Sequence, residues 1–391
     1  MDKILLPFKQ GKLLNTLFLS NVFLGLHYAL IIYINSSFLS QFFTETQVSS
    51  LYIIASIANT ILLLVASRIL EKIGNYRFVM YCLCLEFLAL VGLAVSSNSF
   101  LIGLYFLFHT VVISLLLFGF DLFIEDFTKD ESETGSIRAT YLTITNLTLV
   151  CAPALVALLL VKNNYPNVYI LSAILLIPLY FLIKKYKDVK IDPIKHINIK
   201  ETISEYIKNK NLYNVFIAQF LLQAFYAFMI IYTPIYLNTV IHFSWPEIGG
   251  IFTIMLLPFI LFELPVGELA DLKYGEKEFL TIGFVIMGLS TLFLSFITVK
   301  IFWVWATALF LTRVGASFVE ISSDSYFFKQ VDKEKTDVIS FFRVTRPISF
   351  IVMPVLATLM FQFIPFQYAF IVIGSIMILG TRYSLALKDT K

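Results

Sequence analysis

The feature of this chain that most restricts its fold is a series of long apolar runs separated by short polar breaks. Each run is close to the roughly 17 to 25 residues that an α-helix needs to cross the hydrocarbon layer of a membrane. The twelve runs cover residues 13–35, 48–67, 77–96, 100–122, 137–161, 167–183, 212–236, 248–270, 279–297, 301–323, 339–363 and 366–383. Open strands cannot satisfy their backbone groups in lipid, so these runs are expected to be helices. The sequence therefore predicts an all-α membrane protein with twelve transmembrane helices.

The composition agrees with a location in the lipid bilayer. Hydrophobic residues make up 59% of the chain and charged residues 14%, whereas a soluble domain is about half apolar and about one quarter charged. A net charge of +3 is too small to indicate a nucleic acid partner. The three cysteines lie inside apolar runs, at spacings that suit neither a disulfide framework nor a zinc site.

The positive residues predict how the chain is oriented in the membrane. Of the 29 lysines and arginines, all but three lie before the first run, after the last, or in the connections that follow the even-numbered runs, when residues at the adjoining ends of the runs, such as Arg138, Arg343 and Arg346, are counted with the connections. The exceptions are Lys162 and Lys300 on the opposite side, and Arg313 inside a run. Positive residues collect on the cytoplasmic side of membrane proteins. We therefore expect a multi-pass protein of the cytoplasmic (inner) membrane with both termini in the cytoplasm.

The longest connection, residues 184–211, divides the chain into two sets of six runs, 1–183 and 212–391. It is basic, and part of it has the spacing of an amphipathic helix. Such a segment can lie along the membrane surface, or it can simply be a basic connection that fixes the orientation of the chain. The residues that would form its apolar face are Ile199, Ile203, Tyr206 and Ile207.

The two halves repeat several residues at almost one spacing. Gly74 and Gly275 are 201 positions apart, and so are Pro153 and Pro354. Three acidic pairs are 199 or 200 positions apart, namely Glu71 with Asp271, Asp121 with Glu320, and Glu125 with Asp324. Several pairs at nearly the same shift indicate a parallel internal repeat. We therefore expect two pseudo-symmetric six-helix bundles.

A motif at the end of the eighth run points to a family. The stretch FELPVGELADLKYGEK places Gly267, Asp271, Gly275 and Lys277 at the polar end of that run. It resembles the glycine–aspartate–glycine–basic signature of the major facilitator superfamily, with one residue inserted between Asp271 and Gly275. The copy after the second run is more degraded. It has Ser67, Glu71, Asn75 and Tyr76 where the family has glycine, aspartate and the basic pair.

This resemblance implies the fold of that superfamily and secondary transport by alternating access, with helices 1, 4, 7 and 10 around a central cavity. It also implies a cytoplasmic gate, in which Asp271 meets the start of helix 5 near Arg138, and Glu71 meets Arg343 and Arg346. Independently, a loop glycine permits positive φ, and a carboxylate there can face a helix N-terminus or simply cap a helix. The predicted gating residues are Glu71, Gly74, Arg138, Gly267, Asp271, Gly275, Arg343 and Arg346.

Ionisable residues inside the runs indicate function, because each costs about 2.5–3.5 kcal/mol to insert into a membrane. The offsets of Arg313, Ser317, Glu320 and Asp324 place them on one face of the tenth helix. Arg313 either binds an anionic group of the substrate or pairs internally with Glu320 or Asp121. Aromatic and amide residues at helical spacing complete the predicted contacts with a small polar or amphipathic substrate. These substrate-binding residues are Asn21, His27, Tyr28, Gln219, Gln223, Tyr226 and Arg313.

Carboxylates at membrane depth are candidates for proton coupling, because a desolvated carboxylate can take up and release a proton near physiological pH. The candidates are Asp121, Glu320, Glu263 and Glu86. For Glu86 the alternative is a bond to a neighbouring helix, since the third helix is peripheral in the family. His27 and His109 can equally be satisfied packing residues.

The chain lacks the motifs of other membrane machines. We find no GxxxxGK[ST] phosphate loop, no HExxH and no GxSxG. We therefore expect no ATP-driven transport, no cofactor, no metal and no enzymatic activity. The predicted function is proton-coupled secondary transport of a small molecule by a monomer. Export is favoured because the glutamate–proline–glycine run of the eighth helix resembles exporters. The alternatives are a proton-coupled nutrient importer, or a receptor or lipid-modifying enzyme on the same scaffold.

Overall fold

A computed structural model of the protein describes residues 12–127, 134–160, 164–187, 199–270, 274–331 and 336–388. Within these residues the regular structure is entirely helical. Eleven of the described helices are long and apolar enough to cross a membrane, and a further helix contributes the shorter apolar segment Thr143–Leu159. The predicted all-α membrane fold is therefore confirmed.

Twelve helices of the described residues follow the twelve predicted runs in order. In the first half they are α1 (Lys12–Ile32), α2 (Glu45–Ile73), α3 (Asn75–Val95), α4 (Ser99–Phe127), α5 (Thr134–Leu159) and α6 (Tyr165–Ile183). In the second half they are α7 (Lys210–Ile235), α8 (Trp245–Leu269), α9 (Glu276–Leu294), α10 (Phe302–Gln330), α11 (Thr345–Phe363) and α12 (Ala369–Leu379). Helices α2, α4 and α10 continue past their predicted runs into polar sequence, because apolarity marks only the part of a helix that lies in lipid.

The chain divides into two compact units, Met1–Ile194 and Lys195–Lys391, at a point inside the predicted linker. In the first unit α1 packs on α5 and α6, α3 packs on α4 and α6, and α2 packs on α4. In the second unit α7 packs on α11 and α12, α9 packs on α10 and α12, and α8 packs on α10. The pairs correspond one to one after a shift of six helices. The two pseudo-symmetric six-helix bundles are therefore confirmed.

Small residues bring the helices of the C-terminal bundle close together. A Cβ atom on Gly315 of α10 would lie 2.3 Å from the backbone nitrogen of Met287 and 2.6 Å from the carbonyl oxygen of Gly283, both on α9. On the other side of α9, a Cβ atom on Gly374 of α12 would lie 2.7 Å from the carbonyl oxygen of Gly288. In lipid, where burial of apolar surface gives little driving force, such close backbone contact is a main source of helix association.

The repeat extends to the ends of the helices. The backbone N–H of Thr44 donates to Gln47 Oε1 at 3.0 Å before α2, and that of Ser244 donates to Glu247 Oε2 at 2.7 Å before α8. Each contact is the reciprocal half of a capping box, which satisfies a backbone donor that the helix leaves unpaired. Thr44 and Ser244 are 200 positions apart in the sequence, and so are Gln47 and Glu247. These capping residues are a further sign of the repeat, beside the acidic, glycine and proline pairs.

The loop glycines of the two motif copies have the same backbone conformation. Gly74 has φ +77° and ψ 154°, and Gly275 has φ +84° and ψ 162°. Each precedes the first residue of the next helix, α3 or α9. This region of the φ/ψ map is almost exclusive to glycine, so the positive φ expected for a tight reversal is present in both copies.

The described part of the linker contains one helix, Ile199–Lys208. Tyr206 is buried, and its hydroxyl donates to the carbonyl oxygen of Val338 at 2.8 Å. Burial, and then the neighbouring Glu205, raises the pKa of Tyr206, so this hydroxyl stays a donor. Two other residues of the predicted apolar face, Ile203 and Ile207, are 39% and 69% exposed, and the side chain of Ile199 lies outside the described part. Tyr206 ties the helix to the C-terminal bundle through this hydrogen bond.

The loop glycines give a direct test of the repeat. Gly74→Ala and Gly275→Ala should each lower stability by about 1–3 kcal/mol, the cost of forcing a side chain into this backbone region. The control is Gly103→Ala in α4, where the nearest atom to an added Cβ is 3.4 Å away. The measurement is the thermal unfolding midpoint of the purified full-length protein. If the Gly74→Ala and Gly275→Ala variants unfold at the same temperature as the Gly103→Ala control, the strained backbone conformation assigned to the two loop glycines would be contradicted.

Candidate functional site

Arg313 is a buried cation held between aromatic rings. Its side chain is 1% exposed, and its guanidinium carbon lies 4.9 Å from the ring centre of Phe225 and 5.7 Å from that of Tyr226, both on α7. Among the described residues no carboxylate oxygen lies within 4.0 Å of the guanidinium, and Nη1 has no hydrogen-bond partner. Ring faces offset part of the cost of burying this charge. The remaining unsatisfied N–H group can hold an anion.

Tyr226 connects Arg313 to a carboxylate without a direct ion pair. The phenol hydroxyl donates to Oε2 of Glu320 at 2.6 Å, while the face of the same ring lies against Arg313. The ion pair that was one alternative for Arg313 is not formed with Glu320. Seven residues separate the two on α10, which corresponds to roughly 10 Å along the helix. Arg313 therefore extends over α7, and Tyr226 contacts both groups.

A second acid lies one turn beyond Glu320. Asp324 interacts electrostatically with Glu320 and with the positive charge of Arg343, while Glu320 lies within the field of Arg346 and Arg313. The resemblance implied that Arg343 and Arg346 meet Glu71. Within the C-terminal bundle, the positive charge of Arg346 acts on Glu320 and that of Arg343 acts on Asp324, which balances part of the charge of these two acids.

Three further predicted residues lie on helices of the same cluster. Gln219 on α7 accepts a hydrogen bond from the hydroxyl of Ser323 at 2.9 Å, and Gln223 follows one turn later with 9% exposure. Glu263 on α8 interacts electrostatically with Tyr226. The structure thus brings Arg313, Glu320 and Glu263 together around Tyr226, and places Gln219 against Ser323 of α10.

In the N-terminal bundle, Asn21 is engaged by a neighbouring helix. Its amide nitrogen donates to the carbonyl oxygen of Tyr141 at 2.8 Å and to Thr145 Oγ1 at 3.0 Å, and the side chain is 2% exposed. Asn21 therefore joins α1 to α5, and a substrate would have to replace these bonds. Tyr28 and Asp121 are partly exposed on α1 and α4.

His27, Glu86 and His109 form one contiguous group, although they lie on three different helices. Glu86 Oε1 is 2.5 Å from His109 Nδ1 and 3.3 Å from His27 Nε2, and all three side chains are buried. The alternative that Glu86 bonds a neighbouring helix thus describes the observed contact. His27 is held inside the bundle by this contact. No pattern within a single run of sequence could have paired residues from α1, α3 and α4.

Glu276 is a buried carboxylate that the patterns of the sequence did not indicate. It is 0% exposed, pairs with Lys329 of α10, and accepts a hydrogen bond from Ser325 at 3.2 Å. Its counterpart in the repeat is Asn75, whose amide donates to the carbonyl oxygen of Gly119 on α4 at 2.9 Å. In both bundles the residue after the loop glycine therefore anchors the third helix to the fourth. Its position next to Gly275 was the available signal.

The predicted gate is only partly described. Asp271 lies outside the described residues, and the side chains of Glu71 and Arg138 do not belong to the described part either. Gly267 lies against α10, where the nearest atom to an added Cβ would be Ile321 Cγ1 at 3.4 Å. The gating role of these residues remains a prediction.

Comparison with known proteins places the chain among membrane transporters. The sequence profile of the Major Facilitator Superfamily matches residues 17–256 and again 215–388. Among solved structures, the nucleoside transporter NupG is similar with a TM-score of 0.75 at 14% identity, covering 96% of this chain and 99% of NupG. The POT family transporter PepTSo has a TM-score of 0.74 at 12% identity, covering 97% of this chain and 98% of that one. At these low sequence identities, the similarity to the two structures is evidence for the fold alone. A search of curated protein sequences gave no match.

The pair of Glu276 and Lys329 should respond asymmetrically to substitution. Glu276 is 0% exposed whereas Lys329 is 41% exposed, so water can solvate the lysine but not the carboxylate. Lys329→Met, which removes the positive charge beside a buried carboxylate, should cost up to about 3–5 kcal/mol. Glu276→Gln should cost clearly less, and the double variant should recover much of the loss. Thermal unfolding of the four proteins measures this order, and a larger loss for Glu276→Gln would contradict it.

Proposed function

Because the chain belongs to the major facilitator superfamily, we propose that it is a secondary transporter that moves a small anionic molecule across the membrane together with a proton. The observation that carries this proposal is the buried guanidinium of Arg313, with an Nη1 that has no hydrogen-bond partner among the described residues. Family membership supports transport in general. The charge and burial of this one residue support the substrate class.

The surroundings of Arg313 favour a flat molecule with an acidic group. A guanidinium offers N–H groups in a planar fork that matches a carboxylate or a phosphate. The rings of Phe225 and Tyr226, which already cover Arg313, can also pack against the apolar part of a ligand. Gln219 and Gln223 on the same helix are the proposed polar contacts. In the N-terminal bundle we propose Tyr28, since the amide of Asn21 is bonded to α5.

The contact between Tyr226 and Glu320 supports coupling to protons. The positive charge of Arg313 acts electrostatically on the carboxylate of Glu320, to which Tyr226 donates its hydrogen bond. An anion bound to Arg313 cancels that charge, and protonation of Glu320 then becomes easier. By linkage, a proton on Glu320 must strengthen anion binding by the same factor. Asp121, the counterpart of Glu320 in the repeat, and Glu263 are the further proposed proton carriers.

The direction of transport follows from the sign of this coupling. An anion and a proton that bind together are carried together, so an inward proton gradient drives import. This arrangement supports the importer. Export by exchange for protons is the second candidate, supported by the α8 run from Glu263 to Gly267, which resembles exporters. The two mechanisms differ in whether protons strengthen or weaken binding of the substrate.

The remaining features of the proposal concern the whole chain. The distribution of lysines and arginines supports a location in the cytoplasmic membrane with both termini in the cytoplasm. We propose that the protein works as a monomer, and that the loops carrying Gly74 and Gly275 belong to the cytoplasmic gate. Flux in proteoliposomes under an imposed pH gradient tests transport itself. A receptor or lipid-modifying enzyme would show none.

Anion recognition by Arg313 can be tested with matched compounds. Benzoate and nicotinate should raise the thermal unfolding midpoint of the purified protein, whereas the corresponding amides should not. A ligand at a hundred times its Kd stabilises a protein by about 2.7 kcal/mol, which is readily measured. Arg313→Gln should abolish the effect, and Arg382→Gln, at an exposed site, should retain it. Equal shifts with acids and amides, or an unchanged response of Arg313→Gln, would refute the proposed substrate class.

The sign of the coupling can be tested through the pH dependence of binding. Under co-transport, the affinity for the bound acid should rise as the pH falls, because protonation of Glu320 removes a negative charge near the site. Glu320→Gln should bind with little pH dependence, while the exposed control Glu45→Gln should behave as the wild type. Titrations of the immobilised or detergent-purified protein measure this. Affinity that falls with falling pH would indicate exchange instead.

A further inference from the structure

Four side chains in the interior of the N-terminal bundle form a chain of contacts across α1, α3, α4 and α6. Glu86 Oε1 lies 2.5 Å from His109 Nδ1 and 3.3 Å from His27 Nε2, and His27 Nδ1 lies 2.7 Å from the hydroxyl of Ser172. The exposed fraction is 0% for three of these residues and 3% for His109. Charged groups are seldom fully buried unless they are paired or functional.

Ser172 fixes the tautomer of His27. Its hydroxyl lies 3.0 Å from the carbonyl oxygen of His27 as well as 2.7 Å from Nδ1. A carbonyl oxygen can only accept, and a serine hydroxyl has one proton to give. Both contacts are hydrogen bonds only when the hydroxyl donates to the carbonyl and Nδ1–H donates to the hydroxyl. In neutral His27 the proton is therefore on Nδ1, and Nε2 carries a lone pair.

This tautomer leaves an incomplete contact between His27 and Glu86. Glu86 Oε1 already shares one proton with Nδ1 of His109 across 2.5 Å. With His27 neutral, the lone pair on Nε2 faces a lone pair of the same oxygen across 3.3 Å. Nε2 has no hydrogen-bond partner among the described residues, and neither does Oε2 of Glu86. One additional proton on Nε2 would convert this gap into a hydrogen bond between an imidazolium and a carboxylate.

The same proton neutralises the group. With one proton between Glu86 and His109, and with His27 neutral, the three side chains carry one net negative charge. A second proton, on Nε2 of His27, brings the net charge to zero. An uncompensated charge in a fully buried site is costly, so burial favours the form with the second proton. Uptake takes this proton from water onto Nε2, and release returns it, with only the N–H bond formed or broken.

We propose that His27, Glu86 and His109 form a proton-binding site in the N-terminal bundle, in addition to Glu320 in the C-terminal bundle. The exchangeable proton lies between His27 Nε2 and Glu86 Oε1. Its presence ties α1 to α3, while Ser172 ties α1 to α6 in both states. Loss of the proton therefore weakens one specific attachment of α1. Use of this site for coupling rests on the proposed transport function, whereas proton binding does not.

The groups around the site do not supply another charge. Among the described residues, the charged or titratable side chains that act on Glu86 are His109 from α4 and His27 from α1. Cys82, one turn earlier on α3, is the other titratable group close to it. From α6 the facing residue is Ser172, whose hydroxyl does not titrate in this range. The protons of the group are thus shared mainly among three side chains.

Nitrogen NMR of the histidine side chains tests the proposal on the purified full-length protein. His196 and His242 are the only other histidines, so His196→Gln and His242→Gln together leave the two signals of interest. At neutral pH we expect both nitrogens of His27 to be protonated, with a proton shared between Glu86 and His109. Glu86→Gln should convert His27 to the neutral form protonated on Nδ1. If Glu86→Gln folds poorly, the protein with Glu86 intact still tests the proposal, because its spectrum shows by itself whether both nitrogens of His27 are protonated.

Two results would overturn the proposal. The first is a neutral His27 at neutral pH in the protein with the site intact. The second is a His27 spectrum that is the same with and without the Glu86 carboxylate in a folded variant. The measurement uses no substrate, so an absence of anion flux in proteoliposomes would count against the proposed function alone. A proton-loaded His27 would then still establish the site.

Discussion

The hydrocarbon interior of the membrane is the constraint on which the rest of this structure depends. It contains no water to satisfy backbone groups, so each crossing segment is a helix. It also makes every ionisable side chain expensive, and such side chains are retained only where partners or function compensate for them. The polar groups of this chain accordingly gather in a few places. Arg313 lies between aromatic rings and close to acids, and Glu86 lies between two histidines.

The two bundles share the same helix arrangement through the internal repeat, but their buried polar residues differ. Helix pairs, loop glycines and capping pairs correspond between the halves. The polar interiors differ. The C-terminal bundle contains a cation, Arg313, that forms no direct ion pair with a described carboxylate, and the N-terminal bundle contains an acid, Glu86, between two histidines. Under the proposed mechanism, the first binds the substrate and the second binds a proton. A common scaffold thus supports two different chemical tasks.

Much of the fold could be predicted from the sequence, because the signals involved are local or periodic. Apolar runs fix the helices, and Gly74 and Gly275 mark the same turn in both halves. The candidate site could be predicted only in part. The offsets of Arg313 and Glu320 place them on one face of α10, but the position of Tyr226 between them depends on how α7 packs. The hydrogen bond of Asn21 to α5 and the contacts around Glu86 join different helices. The pattern within one apolar run of the sequence cannot predict such contacts.

The central claim is that an anion at Arg313 and a proton bind together. Isothermal titration calorimetry tests it most directly. The acid that stabilises the protein best is titrated in two buffers with different enthalpies of ionisation, and the difference in heat gives the number of protons taken up per anion. We expect net uptake of protons by the wild type, with less uptake by Glu320→Gln. No uptake, or release of protons as the anion binds, would contradict the claim.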